Sequence, residues 1–372
     1  MPSTIAIDAR KLRDFGIGTY VRNLVRELAV LDRDSQYLLF VRPDYDGSLD
    51  DLPENFRLLT ERSAVYSVRE LVAMSWSLYR LKVDLYHATH YVLPGFVPCP
   101  TVVTIHDIIH LLFPDYLPNR LAHYYAHRMI RRSLVRGNAI IAVSQNTRDD
   151  LASYFQLGTK KIHVIYNGAE AAFRKQLPPD ELQAILESLG LRAPYLLFVG
   201  NPKPHKNLDS TVQAYARARE LADFDASLVC VGARAGTDFK LRQRAAQLGI
   251  EGEVVVLGHV AQEALPAIYQ GASLFLYPTL YEGFGLPVIE AMASGTPVIT
   301  SNNSALREVA GGYAHLVDPL DIEEIARAIA HCMTDEAHRE NLCKLGLRRA
   351  ETFQWSKTAE QTLALYRQVL AP

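Results

Sequence analysis

Short runs of apolar, often β-branched residues recur along the chain at 5–7, 37–41, 85–87, 101–105 and 139–143. They return at 195–199, 227–231, 253–257, 274–277, 297–300 and 315–317. Several are apolar at every position instead of alternating, as expected of strands buried on both faces. Amphipathic stretches at helical spacing separate most of them, and this alternation predicts parallel sheets flanked by helices, an α/β class with doubly wound topology. At 372 residues the chain exceeds one comfortable core, so two domains are expected. Adjacent Pro178 and Pro179 open a new helix, which places a linker across 172–193 and sets the domains at 1–172 and 173–353.

Charge narrows the class further. With 39 basic and 41 acidic residues, no field of one sign covers the molecule, which argues against a nucleic-acid partner. No apolar run reaches the roughly 18 residues of a membrane span, and the N-terminus leads straight into a strand, so a cytoplasmic chain is expected. Cys99, Cys230, Cys332 and Cys343 are scattered without a Cys-x-x-Cys spacing, which predicts reduced thiols and no structural metal.

The most informative chemistry lies in segment 278–295, where Glu282 and Glu290 frame Gly283-Phe284-Gly285-Leu286-Pro287. The apolar run before it predicts a buried strand ended by Pro278. The two glycines let a ligand approach bare backbone amides, and Pro287 suits the first helical position. Glu290 is then expected in the first helical turn and Glu282 on the preceding loop, so the two carboxylates reach a ligand from different directions. Such an arrangement suits a sugar nucleotide. The whole segment, Glu-x7-Glu with Gly-Phe-Gly-Leu-Pro inside and Glu-Ala-Met-Ala-Ser-Gly-Thr-Pro-Val after, resembles the signature of the retaining glycosyltransferase family 4.

That resemblance spans nearly the whole chain and implies the GT-B fold: two Rossmann-like domains facing across a cleft, with a final helix, here 354–372, crossing back to the first domain. Gly200, Lys203 and Lys206 follow a strand and precede a helix, where an anion meets free N–H groups and the helix dipole. The resemblance makes Lys206 the donor-diphosphate lysine. Many relatives have Arg where this chain has His205, so Lys203 is the candidate second cation. Gly16 and Gly18 are read as a loop after the first strand that faces the phosphates. His106 and Asp107 end a strong strand; the resemblance puts His106 beside the transferred sugar and gives Asp107 to its own loop or to the acceptor. Ser144 reads as a helix cap and Asn167-Gly168 as a turn. Val260 belongs to the segment that frames the nucleobase in relatives. Glu290 is implied as the ribose ligand, and Glu282 with the amides of Gly283 to Leu286 as the grip on the donor sugar.

The implied reaction is transfer of a hexose, with retention, from a nucleotide sugar to a growing lipid-linked glycan of the O-antigen or exopolysaccharide kind. GDP-mannose is the first donor and UDP-sugars the second. No cofactor and no metal is implied, since lysine and helix dipole neutralise the departing diphosphate. Asp44-Tyr-Asp46 and Asp223-Phe-Asp225 imitate a metal-binding Asp-x-Asp but do not end buried strands. The segment 120–136, rich in Arg, His and Tyr, reads equally as a solvated helix and as one resting on an anionic surface at the inner face of the cytoplasmic membrane. Two other readings stay open at this point: a GT-B nucleotide-sugar epimerase acting on UDP-N-acetylglucosamine, and a non-catalytic sugar-nucleotide-binding partner.

Overall fold

The computed structural model describes residues 2–117, 119–232 and 237–371. They divide into two compact units, the first formed by the chain up to Gly168 together with the segment from Trp355 onward, the second by Ala169–Gln354.

The first unit carries β1 (Thr4–Asp8), β2 (Gln36–Val41), β3 (Phe56–Thr60), β4 (Leu85–Ala88), β5 (Thr101–Ile105), β6 (Ala139–Ala142) and β7 (Ile162–Val164). All pair in parallel in the order β3-β2-β1-β4-β5-β6-β7. The strand order reverses between β1 and β4, and there a doubly wound sheet opens a crevice at its carboxyl edge. Two strands were not foreseen. β3 is largely exposed and carries Arg57, while β7 has only three residues, one of them His163. Neither shows the fully apolar run that marks its neighbours.

The second unit contains β8 (Tyr195–Val199), β9 (Ser227–Val231), β10 (Val254–Leu257), β11 (Leu274–Tyr277), β12 (Val298–Ser301) and β13 (His315–Val317), again all parallel. Their order is β10-β9-β8-β11-β12-β13, with the reversal between β8 and β11. The stretch 172–193, read from its prolines as a linker, is folded into this unit as the helices Ala171–Arg174 and Pro179–Ser188. Phe173 sets its ring edge against Tyr269, 5.6 Å between centroids, so burial of an aromatic side chain holds that stretch to the unit's core.

The last helix, Trp355–Leu370, belongs to the first unit and packs along Phe15–Leu31. A buried polar chain fixes it there. Tyr366 Oη meets His87 Nδ1 at 2.5 Å, His87 Nε2 meets Thr104 Oγ1 at 2.8 Å, and Thr104 Oγ1 meets Tyr20 Oη at 2.9 Å. Burial, reinforced by the nearby His106, pushes the His87 pKa down to about 3, so the imidazole stays neutral and needs both nitrogens paired. Tyr366→Phe removes one partner and strands a buried nitrogen, which costs about 1–3 kcal/mol. The expected result is a lower thermal unfolding midpoint with unchanged secondary structure, measured by circular dichroism.

Candidate active site

The second unit's switch point is built from the loops after β8 and β11. Asn207 takes a left-handed conformation, φ 57°, between the single turn Pro204–Lys206 and the helix Leu208–Leu221. Its side-chain amide donates to Pro278 O at 2.9 Å and to Pro319 O at 2.7 Å. Leu280 N donates to His205 O at 2.7 Å. Three loops from three strands are thereby tied together, and Lys206 is fixed over the carboxyl edge of the sheet.

Lys206 Nζ lies 2.6 Å from Glu282 Oε1 and donates to Tyr277 Oη at 2.8 Å. Both side chains keep part of their surface in solvent, 16% and 12%. Burial and the neighbouring Glu282 carboxylate push the Tyr277 hydroxyl far above its ordinary pKa, so the phenol keeps its proton. Glu282 is held in turn by its own backbone: its N–H donates to Ser304 Oγ at 3.2 Å and its carbonyl accepts from Ala305 N at 3.3 Å.

Gly285 has φ 103° and a Cβ there would meet Leu306 Cδ2 at 2.5 Å, so glycine is required both by conformation and by space. It starts the helix at Leu286, one residue before Pro287. Glu290 is consequently in the second turn of Leu286–Ala293 and not in the first, as the sequence reading had it. The reason is Gly285, whose left-handed geometry moves the helix start forward. Glu290 Oε2 accepts from Tyr269 Oη at 3.1 Å. Burial, with a contribution from Glu170 that the tyrosine bond only partly offsets, raises its pKa to about 7.

The remaining donor-side positions fall around this centre. Gly200 stands directly after β8, its N–H bonded to Val231 O at 3.0 Å, and Lys203 is exposed on the same loop. His205 is buried, so its side chain serves the loop's interior. Gly283 is buried beside Glu282. Phe284 turns inward against Phe353, 5.6 Å between rings. Val260 follows β10 at the far edge of the sheet, beyond β9. The Asp-x-Asp at 44–46 is engaged otherwise: Asp44 pairs with Arg42 at 2.9 Å and Arg13 at 3.1 Å.

The first unit's switch point is filled by ionic groups that sequence reasoning passed over. Arg10 Nη2 contacts Asp8 Oδ2 at 2.6 Å and Glu70 Oε1 at 2.5 Å, all three buried. Burial alone would raise Asp8, but Arg10 and His90 outweigh it and hold the carboxyl down at about 2. Glu70, where desolvation exceeds the same guanidinium's help, is shifted upward. Asp8 ends β1 and Arg10 stands just after it, a signal that was legible. Glu70, 60 residues from Arg10 on the helix Val68–Arg80, was not.

His106 follows β5, its Nε2 donating to Thr89 O at 2.9 Å and its ring edge-on to Tyr20 at 5.0 Å. That bond leaves Nδ1 with the lone pair. Burial, only partly countered by the Thr89 carbonyl, lowers the pKa to about 4, so the ring at neutral pH is an uncharged acceptor. Asp107 Oδ1 accepts from Ile109 N at 3.0 Å and starts the turn Ile109–Leu112. Gly16 and Gly18 do not form a loop. They are the second and fourth residues of Phe15–Leu31, and Gly18 is small because a Cβ would stand 2.1 Å from Leu12 O.

Two Rossmann-like units, one with a lysine–glutamate pair across its switch point, are the GT-B architecture of glycosyl transfer. The chain matches the family model "Glycosyl transferases group 1" over residues 185–348 and "Glycosyltransferase Family 4" over residues 16–173. It is 30% identical over 366 residues to O-antigen chain mannosyltransferase B of Escherichia coli, covering 95% of this chain and 96% of that one. Its fold matches a sucrose-phosphate synthase of Thermosynechococcus elongatus with TM-score 0.81 at 22% identity, over 99% of each chain. HepE of Anabaena in complex with UDP-glucose matches with TM-score 0.79 at 18% identity, over 98% of this chain and 99% of that one. The chain belongs to the group 1, family 4 glycosyltransferases and is a glycosyltransferase.

A raised carboxyl pKa has a defined sign in stability. Between the ordinary value near 4.5 and about 7 the folded chain binds a proton at Glu290 that the unfolded chain has released, so this group's contribution to stability falls as pH rises through that window. Glu290→Gln removes the effect. The variant's unfolding free energy relative to wild type is expected to increase between pH 5 and pH 8 by of the order of 2 kcal/mol, read from urea unfolding at each pH.

Proposed function

We propose that the protein transfers mannose from GDP-mannose, with retention of anomeric configuration, to a growing lipid-linked glycan of the O-antigen type. The observation that carries the donor half of this reading is the Lys206–Glu282 pair at 2.6 Å across the β8/β11 switch point, with Glu290 alongside on the next helix. The mannosyl preference is supported by the mannosyltransferase at 30% identity. A nucleotide-sugar partner is supported by the similarity in fold to a UDP-glucose complex.

In this reading Lys206 takes the negative charge that develops on the leaving diphosphate, the largest electrostatic demand of the reaction. Glu282 and the backbone from Gly283 to Leu286 bind hydroxyls of the donor sugar. Glu290, as a carboxylate, accepts from the ribose hydroxyls. Neutral His106 accepts a hydrogen bond from a hydroxyl of the transferred sugar through Nδ1. The diphosphate oxygen takes the acceptor's proton, and catalysis needs no divalent cation.

The membrane face of the proposal rests on the helix Arg120–Arg136. Ala126, Met129, Ile130 and Leu134 face the core, whereas Arg120, Arg128, Arg131 and Arg136 are exposed beside Leu121, Tyr124 and Val135. Exposed Trp76 and Phe96 are on neighbouring segments, joined by the 3.1 Å bond from Phe96 N to Ser75 Oγ. Cations interleaved with apolar groups suit an anionic lipid surface. Among the described residues no helix is long and apolar enough to cross a membrane.

Turnover of GDP-mannose into lipid-linked product, scored against UDP-glucose and without added acceptor, tests the function. Isomerisation of the donor with no transfer would replace the reading with an epimerase. Lys206→Ala is expected to lower kcat about 100- to 1000-fold, and wild-type rates should not change when Mg2+ or Mn2+ is added. In a second measurement, sedimentation with phosphatidylglycerol vesicles should carry the protein down at low salt and release it at high salt. The triple change Arg128→Glu, Arg131→Glu, Arg136→Glu should abolish the binding; equal sedimentation of the triple variant would reject the lipid contact.

A further inference from the structure

A second cluster of chemistry lies away from the donor loops of the second unit. His315 is on β13, Cys332 on the helix Ile322–Thr334 and His338 on the helix Glu336–Ala350. Each brings one ligand atom to within 4.8 Å of the other two. Cys332 is a free, fully buried thiol, and the two histidines are half-buried.

The distance between the imidazoles decides how this cluster is read. His315 Nδ1 and His338 Nε2 face each other at 3.4 Å, longer than the roughly 2.7–3.2 Å of a well-formed hydrogen bond. Two nitrogen ligands of a tetrahedral zinc, each about 2.0–2.1 Å from the metal, stand about 3.3–3.4 Å apart. The two imidazole nitrogens already stand at that spacing. Asp335 accepts from His338 N at 2.9 Å and so sets the first turn that carries His338. Arg339 donates to the carbonyls of Cys332 and Met333 at 2.8 and 2.9 Å and locks the end of the preceding helix.

The other three-residue cluster, Asp8, Glu70 and His90, has a cation already: Arg10 lies between both carboxylates. Among the described residues no cation is paired with the side chains of His315, Cys332 or His338; the nearby Arg339 guanidinium is engaged with the Cys332 and Met333 carbonyls.

We propose that His315, Cys332 and His338 form a zinc site that ties β13 to the two helices after it. Thiolate with imidazole is a borderline-soft set that favours zinc over magnesium or calcium. The Cys332 thiol gives its proton to solvent as the Zn–S bond forms, and the imidazoles coordinate as neutral ligands. With three protein ligands, water would complete the tetrahedron; exposed His331, whose ring centre lies 4.5 Å from that of His338, stands beside the cluster. The metal is structural and distant from the transfer chemistry. Its reach is nonetheless plain: Ile322–Thr334 packs on Leu208–Leu221, which follows Lys206, and Glu336–Ala350 packs on Leu286–Ala293, which carries Glu290. The proposal does not depend on the identity of the donor or on glycosyl transfer.

The full chain, reduced and stripped of metal, is titrated with zinc chloride against a competing chelator, and in parallel with cobalt(II). One zinc per chain, a raised unfolding midpoint and a thiolate-to-cobalt charge-transfer band in the near ultraviolet are expected. Cys332→Ser should abolish the band. Loss of outer partners alone lowers zinc affinity by about 10- to 100-fold, so His338→Gln, which replaces a half-buried ligand, should weaken binding by at least about 100-fold. Circular dichroism of His338→Gln confirms that the variant folds. Failure to bind one zinc, or affinities in both variants equal to wild type, would overturn the site.

Discussion

The ion pair between Lys206 and Glu282 is the interaction on which the second unit's carboxyl edge depends. Each partner sits on a different strand's loop, and each is largely withdrawn from water, with 16% and 12% of the side chain exposed. A half-buried charge deprived of its partner costs several kcal/mol, more than the pair itself contributes net. Neither loop can therefore take its position without the other. The ties from Asn207 to Pro278 O and Pro319 O, and from Leu280 N to His205 O, fix the backbones that the ion pair joins. Gly285 reaches positive φ without steric penalty, whereas Ser304, a non-glycine residue at positive φ, shows where the chain accepts conformational cost to bring the loops together. The outcome is a lysine whose ammonium is held in place by Glu282 and Tyr277, as the electrostatic role proposed for it would require.

The first unit solves the same topological problem with different chemistry. At its β1/β4 reversal the buried trio Asp8, Arg10 and Glu70 closes on itself, with the guanidinium spread over both carboxylates. Planar arginine suits this role because its fork satisfies two acceptors at once. The chemistry that stays available on this unit is accordingly one strand further along, at His106 after β5. Its neutrality is a product of burial, which outweighs the opposing pull of the Thr89 carbonyl, and that carbonyl fixes which ring nitrogen carries the proton.

The contrast explains what could be read from the chain without coordinates. Parallel strands buried on both faces, such as Ile140 and Ile141 of β6 or Leu196 to Phe198 of β8, declare themselves as apolar runs, and from them the two doubly wound sheets followed. β3 and β7 escaped notice because edge strands are short or exposed and lose that pattern. Local motifs placed Lys206, Glu282 and His106 on segments after strands and Glu290 on the helix that follows. What no local motif shows is pairing across distance: Lys206 and Glu282 are 76 residues apart, and Arg10 reaches Glu70 across 60. The same blindness covers His315, Cys332 and His338, which lack any metal-ligand spacing in sequence and meet only because a strand and two helices converge. Helix boundaries failed for a third reason. Left-handed Gly285 begins a helix one residue before proline, and Gly18 belongs inside a helix because Leu12 O leaves no room for a side chain.

The charge balance around Lys206 also constrains how an anionic donor can bind. The Lys206–Glu282 pair is neutral as a whole, so it attracts a diphosphate only through its dipole until the carboxylate gives way. At an effective dielectric near 20, unit charges about 4 Å apart interact by about 4 kcal/mol, whether the lysine's partner is a carboxylate or a phosphate oxygen. Exchanging one for the other is thus close to neutral in Coulomb terms. In the proposed reading the exchange would become favourable when the released Glu282 finds hydroxyl donors, which a sugar supplies and an inorganic diphosphate does not. Glu290, whose pKa burial raises to about 7, adds little repulsion while protonated and, in the proposed reading, would gain its charge as ribose hydroxyls arrive to stabilise it. In the proposed reading such a site would favour the intact nucleotide sugar over the free phosphate, because the intact donor would satisfy both carboxylates as it takes the lysine from one of them.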